Sequence, residues 1–147
     1  MTVLRPARST DAGAVGSILS EFIDTTDWMP RVHTRTEDIA HAGELIRRGW
    51  VTVAEHQGEV VGFAACSGGE LNALYVAKSM RGNGIGSALV GALKRAQDVL
   101  VLWTFERNTR GQAFYLAHGF VEVARTEGSG NDEKLPDIQY HWQRRAL

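Results

Sequence analysis

The chain has 147 residues, 16 of them basic and 17 acidic, for a net charge of −1, a size that suits one domain burying roughly 70% of its unfolded-state surface. That balance leaves no global field to select nucleic acid or an anionic membrane. No apolar run approaches the roughly 20 residues needed to span a bilayer, and no basic segment precedes an apolar core at the N-terminus, so one cytoplasmic domain over residues 1–147 is the expectation.

The single cysteine, Cys66, excludes an internal disulfide and lies in the apolar run Val60 to Cys66, where a buried small hydrophobe is expected. None of the histidines is paired at metal-ligand spacing with another histidine or with the cysteine, so no metal site is expected.

Thr2 to Leu4 reads as a first strand ended by Pro6, after which Ser9 or Asp11 can cap a helix running to about Phe22. Asp24 to His33 has no periodicity and carries Trp28, Met29 and Pro30; it is either a loop covered by its own aromatic residue or one wall of an acceptor pocket. Thr34-x-x-Glu37 is a capping-box pattern opening a helix through Ile39, Ala42, Leu45 and Ile46 that Gly49 ends. Trp50 to Glu55 and Val60 to Cys66 read as strands joined by a Gln57-Gly58 hairpin turn.

Leu71 to Val76 is an apolar run that reads as a buried strand, Arg81 to Gly86 (RGNGIG) a glycine-spaced turn, and Ile85, Leu89, Leu93 and Ala96 one face of a helix. Glycines at a strand-to-helix turn leave amide N–H groups uncovered at the positive end of the helix dipole, which is a site for phosphate. The spacing fails the dinucleotide pattern GxGxxG, and no Lys-Ser or Lys-Thr pair completes a Walker loop. What remains is Arg81-x-x-Gly84-x-Gly86. Val99 to Phe105 then reads as a fifth strand, Thr109 to His118 as a helix closed by Gly119, and Phe120 to Thr126 with Ile138 to Trp142 as a final strand pair around a polar loop.

Arg81-x-x-Gly84-x-Gly86 resembles the pyrophosphate motif of the Gcn5-related N-acetyltransferase (GNAT) family, Gln/Arg-x-x-Gly-x-Gly/Ala, which follows that fold's fourth strand. The family's next signature, Asn-x-x-Ala-x-x-Phe-Tyr-x-x-x-Gly-Phe, is nearly matched by Asn108 to Phe120, with Gly111 standing where alanine is usual. Leu4-Arg5-Pro6-Ala7 followed by Asp11 is similar to the family's opening. The resemblance covers essentially the whole chain. It implies a single-domain α/β fold whose mixed sheet of about seven strands splays between strands four and five, flanked by about four helices.

The resemblance also implies acetyl-CoA as cosubstrate and an amine as acceptor. The amides of Gly82, Asn83, Gly84, Ile85, Gly86 and Ser87 would hold the pyrophosphate, with Arg81 beside it, while the strand edge at Leu74 and Val76 would pair with the pantetheine arm. The plain alternative is that the glycines only make a tight turn and Arg81 is solvated. In related enzymes the amide at Leu74 faces the thioester carbonyl and the hydroxyl at Tyr115 faces the sulfur. Asn108 would bond the pantetheine or simply cap the following helix.

An amine of pKa about 10.4 is neutral in only about one molecule in a thousand near pH 7.4, a handicap of roughly 4 kcal/mol, so a base is worth seeking. Glu70 stands eleven residues before Arg81, the offset of the glutamate base in the histone-acetylating branch of the family; an exposed glutamate ahead of a strand is the alternative. Asp132, Glu133 and Asp137 are rival carboxylates. The expected acceptor is a small amine-bearing metabolite in a pocket built by Asp24 to His33 on one side and Gly128 to Asp137 on the other, with Trp28 offering an aromatic face and Asp132, Glu133 and Asp137 offering carboxylates. Cys66 is misplaced for an acyl-enzyme, so direct transfer is expected, from a monomer or a homodimer. The competing reading is a non-catalytic module that binds coenzyme A and reports on it to a partner protein.

Overall fold

The computed structural model describes residues 2–144. The β-branched and apolar runs form β1 (Thr2–Pro6), β2 (Val51–His56), β3 (Glu59–Ser67) and β4 (Glu70–Val76), an antiparallel series. Gln57 and Gly58 both have positive φ, 53° and 80°, as the tightest hairpin turns require. β5 (Val99–Phe105), β6 (Val121–Thr126) and β7 (Asp137–Gln143) complete a seven-stranded sheet of order β1-β2-β3-β4-β5-β7-β6.

β4 and β5 run parallel and share the registered pair Glu70 with Val101. From Leu71 onward the β5-facing edge of β4 has no ladder, so the sheet opens there as expected. The β3/β4 register also shifts: Ala65 faces Ala73 and Cys66 faces Leu71, leaving Asn72 as the extra residue of a bulge. A bulge bends and twists its strand, and this one lies where β4 departs from β5.

α1 (Ala12–Asp24) and α2 (Arg35–Arg47) cover one face of the first four strands, where Val15, Ile18, Ala42 and Leu45 pack on Val51, Val53, Phe63 and Ala65. α3 (Ile85–Ala96) covers the other face, its Ile85, Leu89 and Val90 meeting Val61, Leu71, Leu100 and Leu102. Leu89 is 1% exposed; truncating it to alanine costs about 2–5 kcal/mol. α4 (Thr109–Ala117) follows β5, and Gly119 after it has φ 84°.

Two local expectations change and a third holds. Neither Ser9 nor Asp11 caps α1 through its side chain, because Ser9–Asp11 forms a 3-10 turn. The Asp11 carboxylate instead accepts from the Arg5 guanidinium at 2.8 and 3.1 Å and from the Arg8 amide at 2.7 Å. Cys66 is half-buried, its thiol donating to Gly68 O at 3.1 Å, since the bulge loosens the ladder at its position. The Thr34 box forms as expected: Thr34 Oγ1 accepts from the Glu37 amide and Glu37 Oε1 from the Thr34 amide. Among the described residues no helix is long and apolar enough to cross a membrane.

Candidate active site

The opening between β4 and β5 is a cleft through the sheet. Its mouth, about 190 Å³, is bounded by Leu74, Tyr75 and Val76 of β4, by Arg81 and Gly86 of the glycine turn, and by Asn108, Arg110, Phe114 and Tyr115 around α4. Leu74, Tyr75, Asn108 and Tyr115 continue into a narrower throat of about 70 Å³ between Leu71–Tyr75 and Leu102–Phe105. The unpaired edge of β4 runs along this passage.

At the mouth Gly84 is the N-cap of α3 with φ 78°, and Gly82 has φ 81°. Ala88 N–H donates to Gly84 O, so the amides of Ile85, Gly86 and Ser87 have no intrahelical acceptor, and no side chain caps them. Ile85 offers only its backbone here, since its side chain is 3% exposed in the core. Asn83 braces the turn by donating to Met80 O at 3.1 Å. A Cβ on Gly86 would lie 3.2 Å from the Phe114 ring, so glycine at 86 sets the approach of α3 to α4. Arg81 and Arg110 line the mouth without a carboxylate partner among the described ion pairs. Free amides, a helix start and two guanidiniums fit a phosphate-bearing ligand. Arg110 was not singled out in the sequence; its i+2 spacing from Asn108 was the available signal.

Tyr115 is half-buried, its ring edge-on to Phe114 (5.3 Å) and Phe120 (5.5 Å). Burial pushes its phenol above the ordinary range, with the neighbouring Tyr75 adding to the shift. Burial, and then the Glu133 charge, push the Tyr75 phenol up to about 12. Neither hydroxyl has a partner among the described hydrogen bonds, and no buried polar side-chain atom of the described residues is unsatisfied, so both open into the passage. Both are neutral donors at ordinary pH. Tyr75 carries no separate signal in the sequence, because LNALYV reads as continuous core. Leu74 joins the cluster under α3, while Tyr75 joins the cluster under α1 and α2.

Asn108 acts as a cap: its Oδ1 accepts from the Gly111 amide at 2.9 Å and its Nδ2 donates to Thr104 Oγ1 at 3.3 Å. Ser87 Oγ meets His118 Nε2 at 2.9 Å, which leaves its backbone amide, not its hydroxyl, for a ligand.

On the α1/α2 side a cavity of about 610 Å³ shares Asn72, Ala73 and Tyr75 with the throat. Glu37, Asp38, Asp132 and Glu133 line it, together with His33 and His41. Asp38 is occupied, paired with Arg31 at 2.9 Å and accepting from Ser20 at 2.5 Å. His33 lies between Glu37 (3.9 Å) and Asp132 (3.5 Å), which ties the loop before α2 to the loop before β7. Glu133 is half-buried and has no partner among the described hydrogen bonds and ion pairs.

Three of the sequence-expected residues do not join this arrangement. Glu70 is exposed at the closed end of the splay and is absent from the lining of mouth, throat and acidic cavity, because it still pairs with Val101. Trp28 is also absent from those linings. Its ring sits edge-on to Phe22 (6.4 Å) and Phe105 (5.9 Å), so it bridges α1 and β5 as a cover. Asp137 lines a further cavity on the β5 side that shares Trp103, Thr104 and Phe105 with the throat, and both its oxygens are engaged, one by the Thr126 hydroxyl and the other by Asn131 Nδ2 at 3.3 Å.

Residues 47–122 match the family model described as the acetyltransferase (GNAT) domain. An uncharacterized N-acetyltransferase of Archaeoglobus fulgidus is 36% identical over 55% of this chain and 64% of its own length. The peptidyl-lysine N-acetyltransferase YjaB of Salmonella typhimurium is 36% identical over 53% of each chain. The chain thus spans under two thirds of the length of these relatives. The structure of YncA from Salmonella typhimurium with its cofactor acetyl-CoA superimposes with a TM-score of 0.76 at 20% identity, covering 100% of this chain and 96% of that one. With more than half its length matched by the family model, the chain belongs to the GNAT acetyltransferase domain family.

Proposed function

We propose that the protein is an acetyl-CoA-dependent N-acetyltransferase that transfers the acetyl group directly to the amine of a small metabolite. The observation that carries this reading is the passage through the sheet, which joins the open amides of α3 and two free guanidiniums at one end to a carboxylate-lined cavity at the other. Acetyl-CoA supplies the thioester; the residues of the chain bind, orient and neutralise charge around it.

The amides of Ile85, Gly86 and Ser87, with Arg81 and Arg110, hold the phosphates, and the unpaired edge at Leu74 and Val76 receives the amide groups of the pantetheine arm. Tyr115 serves the leaving sulfur. A phenol of pKa about 10 gives its proton to a thiolate of about 8.5 only uphill, by roughly 2 kcal/mol, and burial makes that step harder. The hydroxyl therefore keeps its proton and stabilises the thiolate as a charge-assisted hydrogen bond, worth about 1.5–3 kcal/mol. Glu133, not Glu70, is the carboxylate that meets the acceptor ammonium and takes the proton it must lose before its nitrogen attacks the thioester carbon and the carbon–sulfur bond breaks, because it faces the cavity adjoining the throat and has no partner among the described ion pairs.

The His33–Asp132 contact closes the cavity between two loops, which favours a small acceptor. A lysine side chain of a peptide is the second reading, favoured by the similarity to a peptidyl-lysine N-acetyltransferase. Thiol release from acetyl-CoA, followed against small amines, amino acids and lysine peptides, separates the two. Binding without turnover on any amine would leave the non-catalytic module instead. Gly84→Asp should abolish acetyl-CoA binding while Gly84→Asn, which tolerates the same positive φ without the charge, should retain most of it; equal binding by both variants would remove the assignment of the turn.

A further inference from the structure

The C-terminal end of α4 and the first turn of α3 are fastened together at one residue. His118 follows α4 directly, and its Nδ1 lies 2.7 Å from Phe114 O. A carbonyl only accepts, so Nδ1 carries the proton, and in the neutral ring Nε2 is left as an acceptor. Nε2 lies 2.9 Å from Ser87 Oγ, which therefore donates to it. The imidazole also stacks on Phe114, ring centroids 4.2 Å apart, and the Phe114 ring is the surface against which Gly86 packs. Finally, the Lys94 ammonium donates to His118 O from further along α3.

Gly86 and Ser87 carry two of the three open amides at the start of α3, and Phe114 and His118 flank Tyr115 on α4. We infer that His118 is a positioning residue for cosubstrate binding: by accepting from Ser87, it sets the first turn of α3 at a fixed distance from the helix that presents Tyr115. The inference rests on the reading of that turn as the phosphate site. Its consequence is specific. With the Ser87 hydroxyl proton committed to His118, Ser87 contributes its amide to the phosphate, and the hydroxyl acts only through the imidazole. Orientation of a few amides is worth the most when it is fixed before the ligand arrives, because no ordering cost then falls on binding.

The hydrogen bond to Ser87 needs only an acceptor at the Nε2 position, which a glutamine carboxamide oxygen supplies. A general loss of packing would instead follow removal of the ring whatever replaced it. Acetyl-CoA dissociation constants by calorimetry, together with kcat and KM, should therefore be measured for the wild type, His118→Ala, His118→Gln, Ser87→Ala and the double variant Ser87→Ala/His118→Ala. Expected are a rise in Kd and KM of about tenfold in both alanine variants with kcat changed less than about threefold, no further rise in the double variant, and recovery of most of the affinity in His118→Gln. Multiplying effects in the double variant, or unchanged affinity in Ser87→Ala, would overturn the inference while leaving the phosphate site in place. Absence of acetyl-CoA binding by the wild type would overturn both the site and this inference.

Discussion

Asn108 folds back over Gly111: Oδ1 accepts from the Gly111 amide at 2.9 Å, and a Cβ at 111 would stand 2.5 Å from Nδ2 of the same side chain. The glycine that departs from the family's alanine is thus what lets Asn108 cap α4. Gly111→Ala should gain roughly 1 kcal/mol of helix propensity and lose a cap worth roughly the same. Chemical denaturation is expected to find stability within about 1 kcal/mol of the wild type, with the carboxamide displaced into the cleft. A loss well beyond that would mean that the backbone, and not the Asn108 rotamer, gives way.

Tyr115→Phe deletes one hydroxyl that opens into the passage and keeps the ring among Phe114, Phe120 and Tyr140. If the phenol stabilises the leaving thiolate, kcat falls by about 10- to 1000-fold while acetyl-CoA affinity changes little. Tyr75→Phe gives the comparison, since that hydroxyl also opens into the throat but belongs to the α1/α2 side. Equal turnover by wild type and Tyr115→Phe would reduce Tyr115 to a packing role.

Much of the fold is legible in the residues because local signals agree with the tertiary result. The Thr34–Glu37 box, the Gln57-Gly58 turn and the glycines at 84 and 119 all mark the ends of elements that form where their chemistry requires. The mouth of the cleft is legible for the same reason, since strand, glycine turn and helix are contiguous. The acidic side is legible only in part: the two aperiodic loops and the carboxylates Asp132 and Glu133 stand out, but not which of them meet or on what. His33, Tyr75 and Glu133 come from three separate elements, and their meeting depends on how a loop folds across α2. No periodicity encodes that. Trp28 is ambiguous for a related reason: an aromatic residue in an aperiodic stretch suits a pocket wall and a cover equally well, and in the fold its ring backs Phe22 and Phe105, which themselves line the throat.

The Arg5–Asp11 pair predicts an acid limb of stability. Hydrogen bonding to Arg5, then to the Arg8 amide, lowers the Asp11 carboxyl from 3.8 to about 2 in the folded protein. Because the folded-state value is depressed, the contribution is complete above the unfolded value and disappears as pH falls from near 4 through about 2. Asp11→Asn should be less stable than the wild type at neutral pH and should lose less on acidification over that window. Denaturation midpoints taken at intervals between pH 7 and pH 2 test this, and parallel curves for the two proteins would assign the acid limb to other carboxylates.

The two glutamates offer the sharpest test of the acceptor side. Glu70 still pairs with Val101 at the closed end of the splay, whereas Glu133 faces the cavity that shares Asn72, Ala73 and Tyr75 with the throat. A cationic acceptor reaching the throat from that side passes an unpaired carboxylate at Glu133 and none at Glu70. Asp38 is not a competitor, since Arg31 and Ser20 already occupy it. Glu133→Gln keeps the shape and removes the charge, so kcat/KM for the best amine should fall by about tenfold or more, the order expected when one partner of a close charge pair is lost. Acetyl-CoA affinity should not change, because the phosphate site lies across the sheet. Glu70→Gln should leave both quantities within about twofold of the wild type, and Trp28→Ala should lower thermal stability more than acceptor specificity, since it removes an aromatic bridge worth about 1 kcal/mol or more per contact. Should Glu70→Gln abolish turnover while Glu133→Gln leaves it untouched, the assignment of Glu133 falls and the acceptor approaches from the closed end of the splay, where Glu70 pairs with Val101.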